Sequence, residues 1–262
     1  DGIYLAVAHT DSPYITIYKR SGDTFTKLTD PASLPAGDGK GCKFSPDGVY
    51  LAVAHDTTPF ITIYKRDGDT FTKLVDPVNI SPAGQGLNVA WTPDSVYLAV
   101  GHDIIPWITV YKRAGDVFTK INDPAELPTG PAYGVDFSPD GIHLAVAHST
   151  TPFVTIYTRS GDILGKQNDL DDLPGGDGKG AVFSHNGNYL VIGYFNDPNI
   201  IIYKQFQPTT KVDGVIKTIG WDEVDNPAHY DFMLNEKTKV LSIGAADILM
   251  IDIGTEEGHE AV

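Results

Sequence analysis

The sequence predicts an all-β protein built from a repeated unit of short antiparallel strands, and two observations carry this prediction. The stretch Phe44-Ser-Pro-Asp-Gly-Val-Tyr-Leu-Ala-Val-Ala-His55 recurs with changes at 91–102, 137–148 and 183–194, and its second half opens the chain at 1–9. The equivalent end positions 9, 55, 102, 148 and 194 lie 46 or 47 residues apart. A fixed period of this length is typical of repeat architectures.

Four strands are expected within one unit. Turn residues at Pro46–Gly48 separate a first strand from an apolar second strand at 50–55, which is the composition of a strand packed on both faces. A third strand at 60–65 is rich in β-branched and aromatic residues, and a glycine hairpin leads to an alternating fourth strand at 70–74. Four antiparallel strands per unit of about 46 residues describe the blade of a β-propeller. We expect a ring of six or seven such blades.

The repeat divides the chain into five recognisable units, near 1–43, 44–90, 91–136, 137–182 and 183–206. Residues 207–253 are expected to form a degenerate sixth unit or, alternatively, a small β attachment element, and the acidic residues 254–262 a tail. The chain opens inside a repeat and without an initiator Met, so we expect a fragment or processed product that starts in mid-blade.

Composition excludes several classes of function. The net charge of the 262 residues is -15, so the backbone of a nucleic acid or an anionic membrane would repel the protein. Cys42 is the only cysteine, and an intrachain disulfide is therefore impossible. No run of 18 or more apolar residues predicts a membrane span.

The Phe-Ser-Pro-Asp-Gly turn, repeated in register over residues 1–206, resembles the WD40-like and TolB-like β-propeller repeats. The chain lacks the Trp-Asp that ends the third strand of true WD40 blades, so the hydrogen-bonding tetrad of that family is not carried over. The phrase Tyr-Lys-Arg-Ser-Gly-Asp-Thr-Phe-Thr-Lys-Leu at 18–28 resembles repeats in bacteriophage virion and bacterial surface proteins. This resemblance implies a structural or binding role.

Two series of residues are candidate binding positions, both expected on loops or strand ends. The first series ends the second strand of each unit and consists of His9, His55, His102 and His148. These histidines could bind metal or sense pH. Alternatively, each imidazole could satisfy a backbone group in its own blade, and we favour this interpretation. The second series, Tyr14, Phe60, Trp107 and Phe153, follows a proline; it could form an aromatic platform for sugars or a partner chain, or pack between blades.

Other repeated positions favour structural roles. Tyrosines inside the third strand (Tyr18, Tyr64, Tyr111, Tyr157 and Tyr203) are expected to pack within or between blades, and aspartates after the hairpin glycine (Asp23, Asp69, Asp116 and Asp162) to be turn residues. The long connections 29–41, 76–89, 122–135 and 168–180 are expected to share one face with the second-to-third strand loops, and this is the predicted binding face. The segments Asp38–Gly41 and Asp177–Gly180 look like glycine-rich phosphate loops but lack a following helix.

No nucleophile elbow, zinc-protease motif or phosphate-cradling loop is present. The sequence therefore predicts a non-enzymatic propeller, a virion-associated (tail or capsid) or cell-surface adhesin-type protein on a virion or extracellular surface, with no cofactor and no metal. Its expected partners are other structural proteins or a surface glycan or protein receptor. One alternative is a lactonase- or quinoprotein-like enzyme with a metal at the channel mouth, held by His9, His55, His102, Asp56 and Asp103. Another is an intracellular protein-interaction scaffold.

Overall fold

The computed structural model describes residues 2–77, 84–197 and 199–204. In these ranges the chain forms strands and turns, and no helix is long and apolar enough to cross a membrane. The strands are β1 (Tyr4–Ala8), β2 (Ile15–Ser21), β3 (Thr24–Lys27), β4 (Gly39–Phe44), β5 (Tyr50–His55), β6 (Ile61–Asp67), β7 (Thr70–Lys73), β8 (Gly86–Trp91), β9 (Tyr97–His102), β10 (Ile108–Ala114), β11 (Val117–Lys120), β12 (Ala132–Phe137), β13 (His143–His148), β14 (Val154–Ser160), β15 (Ile163–Lys166), β16 (Gly178–Phe183), β17 (Tyr189–Tyr194) and β18 (Ile200–Lys204).

These strands form five antiparallel sheets, which we call blades 1 to 5 in chain order. Blades 2, 3 and 4 have four strands each, β4 to β7, β8 to β11 and β12 to β15. Among the described residues, blade 1 consists of β1 to β3 and has no inner strand, and blade 5 consists of β16 to β18. The predicted all-β fold of propeller blades is confirmed. The sixth unit and the tail lie outside the described residues, and the number of blades in the ring stays a prediction.

The hydrophobic core lies between successive blades. Ala52, Ile61 and Ile63 of blade 2 pack with Leu98 and Val100 of blade 3, for example. Both faces of the second strand are thus covered, and every residue of β5 and of β9 is buried. Three of the third-strand tyrosines, Tyr64, Tyr111 and Tyr157, are fully buried in this core, as predicted, whereas Tyr18 is half-buried. The hydroxyl of Tyr64 donates to the carbonyl of Ser33, in the long connection that leads into the same blade.

The Phe-Ser-Pro-Asp-Gly motif forms the turn between the first and second strands. Ser45 Oγ accepts a hydrogen bond from Tyr50 N at 2.8 Å, and Asp47 Oδ1 accepts one from Val49 N at 3.0 Å. The same bonds recur at Thr92 and Asp94, at Ser138 and Asp140, and at Ser184 and Asn186. The repeated hydroxyl and carboxylate or amide side chains therefore replace main-chain bonds that a tight turn leaves unmade.

The last position of this turn is left-handed in every copy. Gly48 has a φ of 69°, and Ser95, which replaces glycine in the third unit, has a φ of 60° and makes the same turn bond to Thr92 O. Ser95 therefore keeps the turn rather than changing it. Its hydroxyl accepts a 3.0 Å hydrogen bond from Asp47 N of blade 2, which offsets the cost of an unfavourable φ.

Gly141→Val should destabilise the fold by roughly 1–3 kcal/mol, because Gly141 has a φ of 70° and a β-branched residue is strained there. A Cβ at this position would also lie 3.3 Å from Pro93 Cδ. Gly141→Asn is the matched control, since asparagine tolerates the left-handed region, and it should cost less. Thermal unfolding of both variants is the measurement; equal midpoints for the valine and asparagine variants would contradict the role given to φ.

Candidate functional site

The inner strands of blades 2 to 5 converge on one axis. Lys43 Nζ of blade 2 lies 2.7 Å from Asp136 Oδ1 of blade 4, so a single lysine side chain spans the distance between inner strands that are two blades apart. Asp136 Oδ2 accepts a 3.0 Å hydrogen bond from Phe183 N of blade 5. A Cβ at Gly134 would lie 2.6 Å from Gly180 Cα, so neighbouring inner strands touch through glycine. These contacts bring the inner strands together around one axis, as the inner strands of propeller blades are arranged.

Each inner strand carries a β-bulge near its start. The pairing of β4 with β5 skips one residue between Gly39 and Gly41, and the same shift occurs in blades 3, 4 and 5. A bulge leaves one residue unpaired and turns its side chain away from the regular alternation. The bulged residues are Lys40, Leu87, Tyr133 and Lys179. Because they occupy equivalent positions at one end of converging strands, we call them the channel mouth.

Two residues of the channel mouth are lysines, and each lies beside carboxylates. Lys40 Nζ lies 3.4 Å from Asp38 Oδ2 and 3.7 Å from Asp56 Oδ2, and its side chain is 30% exposed. Lys179 Nζ lies 3.3 Å from Asp177 Oδ2 and 4.0 Å from the ring centroid of Tyr133. The Asp-Gly-Lys-Gly segments therefore belong to strand starts, where they present an ammonium group at the mouth beside carboxylates and an aromatic ring.

The long connections and the second-to-third strand turns meet on the face that surrounds the channel mouth, as predicted. Asp56 Oδ1 accepts a 3.0 Å hydrogen bond from Asp38 N, and Asp103 Oδ1 accepts a 2.7 Å bond from Gln85 N. Each of these two carboxylates joins a second-to-third strand turn to the connection that enters the inner strand of the same blade. Asp56 is thereby oriented with its second oxygen toward Lys40.

The aromatic series lies in the same turns. Tyr14, Phe60, Trp107 and Phe153 are half-buried, follow cis prolines and have φ values of 66° to 68°. The carbonyl of Phe60 accepts a 3.0 Å hydrogen bond from His55 N, and the other copies repeat this bond. Asn199, which breaks the series, has a φ of 69°, a conformation that asparagine tolerates well. A binding role for the series stays a prediction.

The histidine series lies inside the blades. His55 and His148 are 0% exposed and His102 is 6% exposed, whereas His9 is half-buried. Each Nε2 makes a hydrogen bond with a threonine hydroxyl of the adjacent third strand; the partners are Thr16, Thr62, Thr109 and Thr155. Burial lowers the pKa of His55 and His102, and lowers that of His148 to about 4. Burial therefore favours the neutral form of these three imidazoles. Each Nε2 is bonded within its own blade, whereas Nδ1 of His55 and of His102 has no hydrogen-bond partner among the described residues.

The metal set of the enzyme alternative is not assembled. His9, His55 and His102 belong to three blades, and Asp56 and Asp103 bond to backbone amides instead. Throughout the part of the chain that the structure describes, no group of three or more His, Cys, Asp or Glu side chains could hold a metal ion.

The channel mouth was missed by the sequence analysis. Its residues are two lysines, a leucine and a tyrosine, so no single residue type marks the position along the repeat. The available signal was the glycine that precedes Lys40, Leu87 and Lys179 at the start of an inner strand, since glycine inside a strand often marks a bulge.

Comparisons with known proteins identify the fold. No protein-family model matches the chain, and no curated protein matches its sequence. The structure is similar to that of a "putative 6-phosphogluconolactonase" from Bacteroides uniformis, with a TM-score of 0.63 and 16% identity over 78% of this chain and 64% of that one. It is also similar to Kuenenia stuttgartiensis hydrazine synthase, with a TM-score of 0.51 and 18% identity over 68% of this chain and 48% of that one. The chain thus spans less than two thirds of either neighbour.

The prediction that the protein is not an enzyme is contradicted by the first of these comparisons, because the Bacteroides protein carries the name of an enzyme. Neither neighbour is named as a virion protein or an adhesin. The absence of familiar catalytic motifs does not exclude an activity, since those motifs belong to other folds. The similarity, at 16% identity, shows a propeller-like fold alone. An activity has to be inferred from the residues of the channel mouth.

Proposed function

We propose that the protein is a propeller enzyme that hydrolyses a lactone bound at the channel mouth. The observation that carries the proposal is the repeated bulge, which places Lys40, Leu87, Tyr133 and Lys179 at the same end of successive inner strands. Two ammonium groups beside an aromatic and an aliphatic side chain suit a ring compound that carries a negative charge. The name of the Bacteroides neighbour, an enzyme acting on a phosphorylated sugar lactone, supports this class of substrate.

Lactone hydrolysis adds water to the ring carbonyl, passes through an oxyanion and breaks the ring C–O bond to leave a hydroxy acid. A positive charge near the oxyanion and a base near the water both accelerate such a step. Lys40 is the candidate for the positive charge, because Asp38 and Asp56 hold its ammonium group within 3.7 Å of carboxylate oxygens. Asp56 is the candidate base, since a backbone amide fixes one of its oxygens and leaves the other toward Lys40.

Lys179 has a different proposed role. Its ammonium lies over the Tyr133 ring at 4.0 Å and also 5.5 Å from the Phe195 ring, so aromatic faces orient it at the opposite side of the mouth. We assign it to the anionic substituent of the substrate, with Tyr133 and Leu87 against the ring.

Lys40→Ala should lower kcat/KM for lactone hydrolysis by about 100-fold, because the removal of one oxyanion-stabilising group typically has an effect of this order. Lys179→Ala should mainly raise KM, and only for lactones with a phosphate or carboxylate. The measurement is hydrolysis of a panel of neutral and anionic sugar lactones at fixed pH. Lys27→Ala is the matched control, since Lys27 pairs with Asp30 on the outer strand of blade 1, and it should change neither constant.

No hydrolysis above the buffer rate by the parent protein, for any lactone of the panel, would reject the proposal. An effect of Lys40→Ala no larger than that of Lys27→Ala would reject the site. The adhesin, virion, surface-receptor and scaffold roles, and the finer resemblance to WD40-like or TolB-like families, stay predictions without support from the comparisons. Mass spectrometry of purified virions and binding to a glycan array test the virion and adhesin roles directly.

A further inference from the structure

Successive blades are joined by a repeated polar contact that we call the clasp. Asp69 in the hairpin of blade 2 accepts hydrogen bonds from Tyr4 Oη at 2.6 Å and from Lys19 Nζ at 2.9 Å, both in blade 1. The same contact joins Tyr50 and Lys65 to Asp116, and Tyr97 and Lys112 to Asp162. The hairpin aspartates are therefore more than the turn residues that the sequence predicted, because each binds the preceding blade.

An arginine completes each clasp. Its guanidinium lies over the same tyrosine ring, with Arg66 at 4.7 Å from the Tyr4 centroid, Arg113 at 4.8 Å from Tyr50 and Arg159 at 4.4 Å from Tyr97. The contact is a cation–π interaction. A hairpin of the form Arg-x-Gly-Asp thus recognises one tyrosine and one lysine of the blade before it.

Apolar side chains of the following blade are buried together with the clasp. In blade 2, Leu51 and Val53 are 0% exposed and Phe71 is 5% exposed. The equivalent residues of blades 3 and 4 are also buried; they are Leu98, Val100, Phe118, Leu144, Val146 and Leu164. Each occupied clasp is therefore accompanied by three buried side chains: a leucine and a valine of the second strand and a hydrophobic residue of the fourth strand.

Blade 1 presents the receiving half of this contact without a described partner. Its hairpin has the clasp form, Arg20-Ser-Gly-Asp23, and both charged residues are exposed. Leu5 is 46% exposed, Val7 42% and Phe25 50%, whereas the equivalent residues of blades 2 to 4 are at most 5% exposed. We call these five residues the outer face of blade 1.

The junction of blades 4 and 5 shows that the two halves of the clasp occur together. His143 and Thr158 stand where the other blades have the donor tyrosine and lysine. The sequence after Lys204, Gln205-Phe-Gln-Pro208, correspondingly lacks the Gly-Asp of the receiving hairpin. A complete receiving hairpin in blade 1 therefore indicates a partner with the donor pair.

We propose that the outer face of blade 1 docks one further blade of this same repeat. That blade places a tyrosine hydroxyl and a lysine ammonium on Asp23, and the tyrosine ring under Arg20. Its small and β-branched side chains cover Leu5, Val7 and Phe25, as Ala52, Ile61 and Ile63 cover blade 3. The inference rests on the three occupied clasps and is independent of the proposed activity.

An extended chain tests the inference. A second copy of residues 1–46 is placed ahead of Asp1, which recreates the Ser-Pro-Asp-Gly turn and supplies the donors Tyr4 and Lys19 of the added copy. The thermal midpoint should rise, and amide exchange at residues 5–7 should slow at least tenfold relative to the existing chain. Asp23→Asn should lower the midpoint of the extended chain by roughly 2–4 °C and leave that of the existing chain unchanged.

The donor side supplies the matched control. Tyr4→Phe in the added copy alone should lower the midpoint as much as Asp23→Asn does, and the two changes together should cost little more than either, because they remove one contact. A second extension with residues 47–93, whose donors are Tyr50 and Lys65, repeats the test with a different blade.

Three outcomes would overturn the proposal. The first is an equal effect of Asp23→Asn in the existing and extended chains, or no rise in midpoint with either extension. The second is strong protection of residues 5–7 in the existing monomer, which would show that residues 205–262 already cover the face. The third is a dimer of the existing chain that Phe25→Asp dissociates, which would make a second copy the occupant.

Discussion

Gly101→Ala is expected to destabilise the protein by about 3 kcal/mol, and a second substitution, Ala132→Gly, to restore most of this loss. A Cβ on Gly101 would lie 2.6 Å from the carbonyl oxygen of Ala132 and 3.3 Å from its Cβ. The first contact is with backbone, so the inner strand of blade 4 would have to move. The neighbouring inner strands pack against it directly, which makes such a movement costly.

The expected rescue follows from the other blade junctions. There an alanine at the end of the second strand faces a glycine at the start of the next inner strand; the pairs are Ala8 with Gly39, Ala54 with Gly86 and Ala147 with Gly178. Only Gly101 and Ala132 have the order reversed among these four junctions. The double variant therefore recreates the arrangement that the rest of the chain uses.

Urea unfolding of the parent, both single variants and the double variant gives the coupling between the two positions. Ala132→Gly alone should cost roughly 0.5–1 kcal/mol, the usual effect of glycine in a strand. Gly193→Ala is the control, because Gly193 is equivalent to Gly101 in blade 5 and an added Cβ there meets no atom of the described residues within 4 Å. A double variant as unstable as Gly101→Ala would show that the two residues do not compensate each other.

The strands and turns could be predicted because their causes are local. Turn residues at Pro46–Gly48 and the apolar run at 50–55 determine a turn and a buried strand without reference to distant residues, and the structure places β5 at Tyr50–His55. Ser95 takes the glycine position of this turn in the third unit and has a φ of 60°, which is unfavourable for serine. The serine is tolerated because a neighbouring blade donates a hydrogen bond to it, which a single repeat does not reveal.

The candidate site could not be predicted because it depends on pairing and on convergence. The bulge at Lys40 is a property of the register between β4 and β5, and the sequence of one strand does not contain that register. The approach of Lys179 to Tyr133 joins two blades. The clasp was hidden for a related reason, because a repeated Gly-Asp is sufficiently explained by a hairpin until Tyr4 and Lys19 are seen beside Asp69.

The role of the histidine series also could not be decided from the sequence. The sequence supports both a metal-binding and a structural role for His55 and its equivalents, since the two require the same regular spacing. The decision comes from the 3.0 Å contact with Thr62 and from complete burial, both of which follow from packing against adjacent strands and blades. The same burial makes the stability of the protein depend on pH.

The protein should lose stability as the pH falls from about 6.5 to about 4, by an amount on the order of 2–3 kcal/mol from His148 alone. Burial lowers the pKa of His148 from 6.5 to about 4, so the unfolded chain binds a proton before the folded protein does. The contribution to stability is complete above pH 6.5 and is lost as the pH approaches the folded value. Burial lowers the pKa of His55 and His102 in the same direction, which adds to the loss.

Calorimetry between pH 7.5 and 4.5 at constant ionic strength measures this loss, and His148→Gln should flatten the profile, because glutamine can still bond to Thr155 but does not titrate. Asp116→Asn is the control for acid effects of another origin. Its hydrogen bonds from Lys65 and Tyr50 lower the pKa of Asp116 below 3.8, so its contribution persists above that pH and is lost only at more acidic values. The Asp116→Asn profile should therefore run parallel to that of the parent between pH 6.5 and 4. A His148→Gln profile parallel to that of the parent would instead show that this histidine is not responsible for the acid sensitivity.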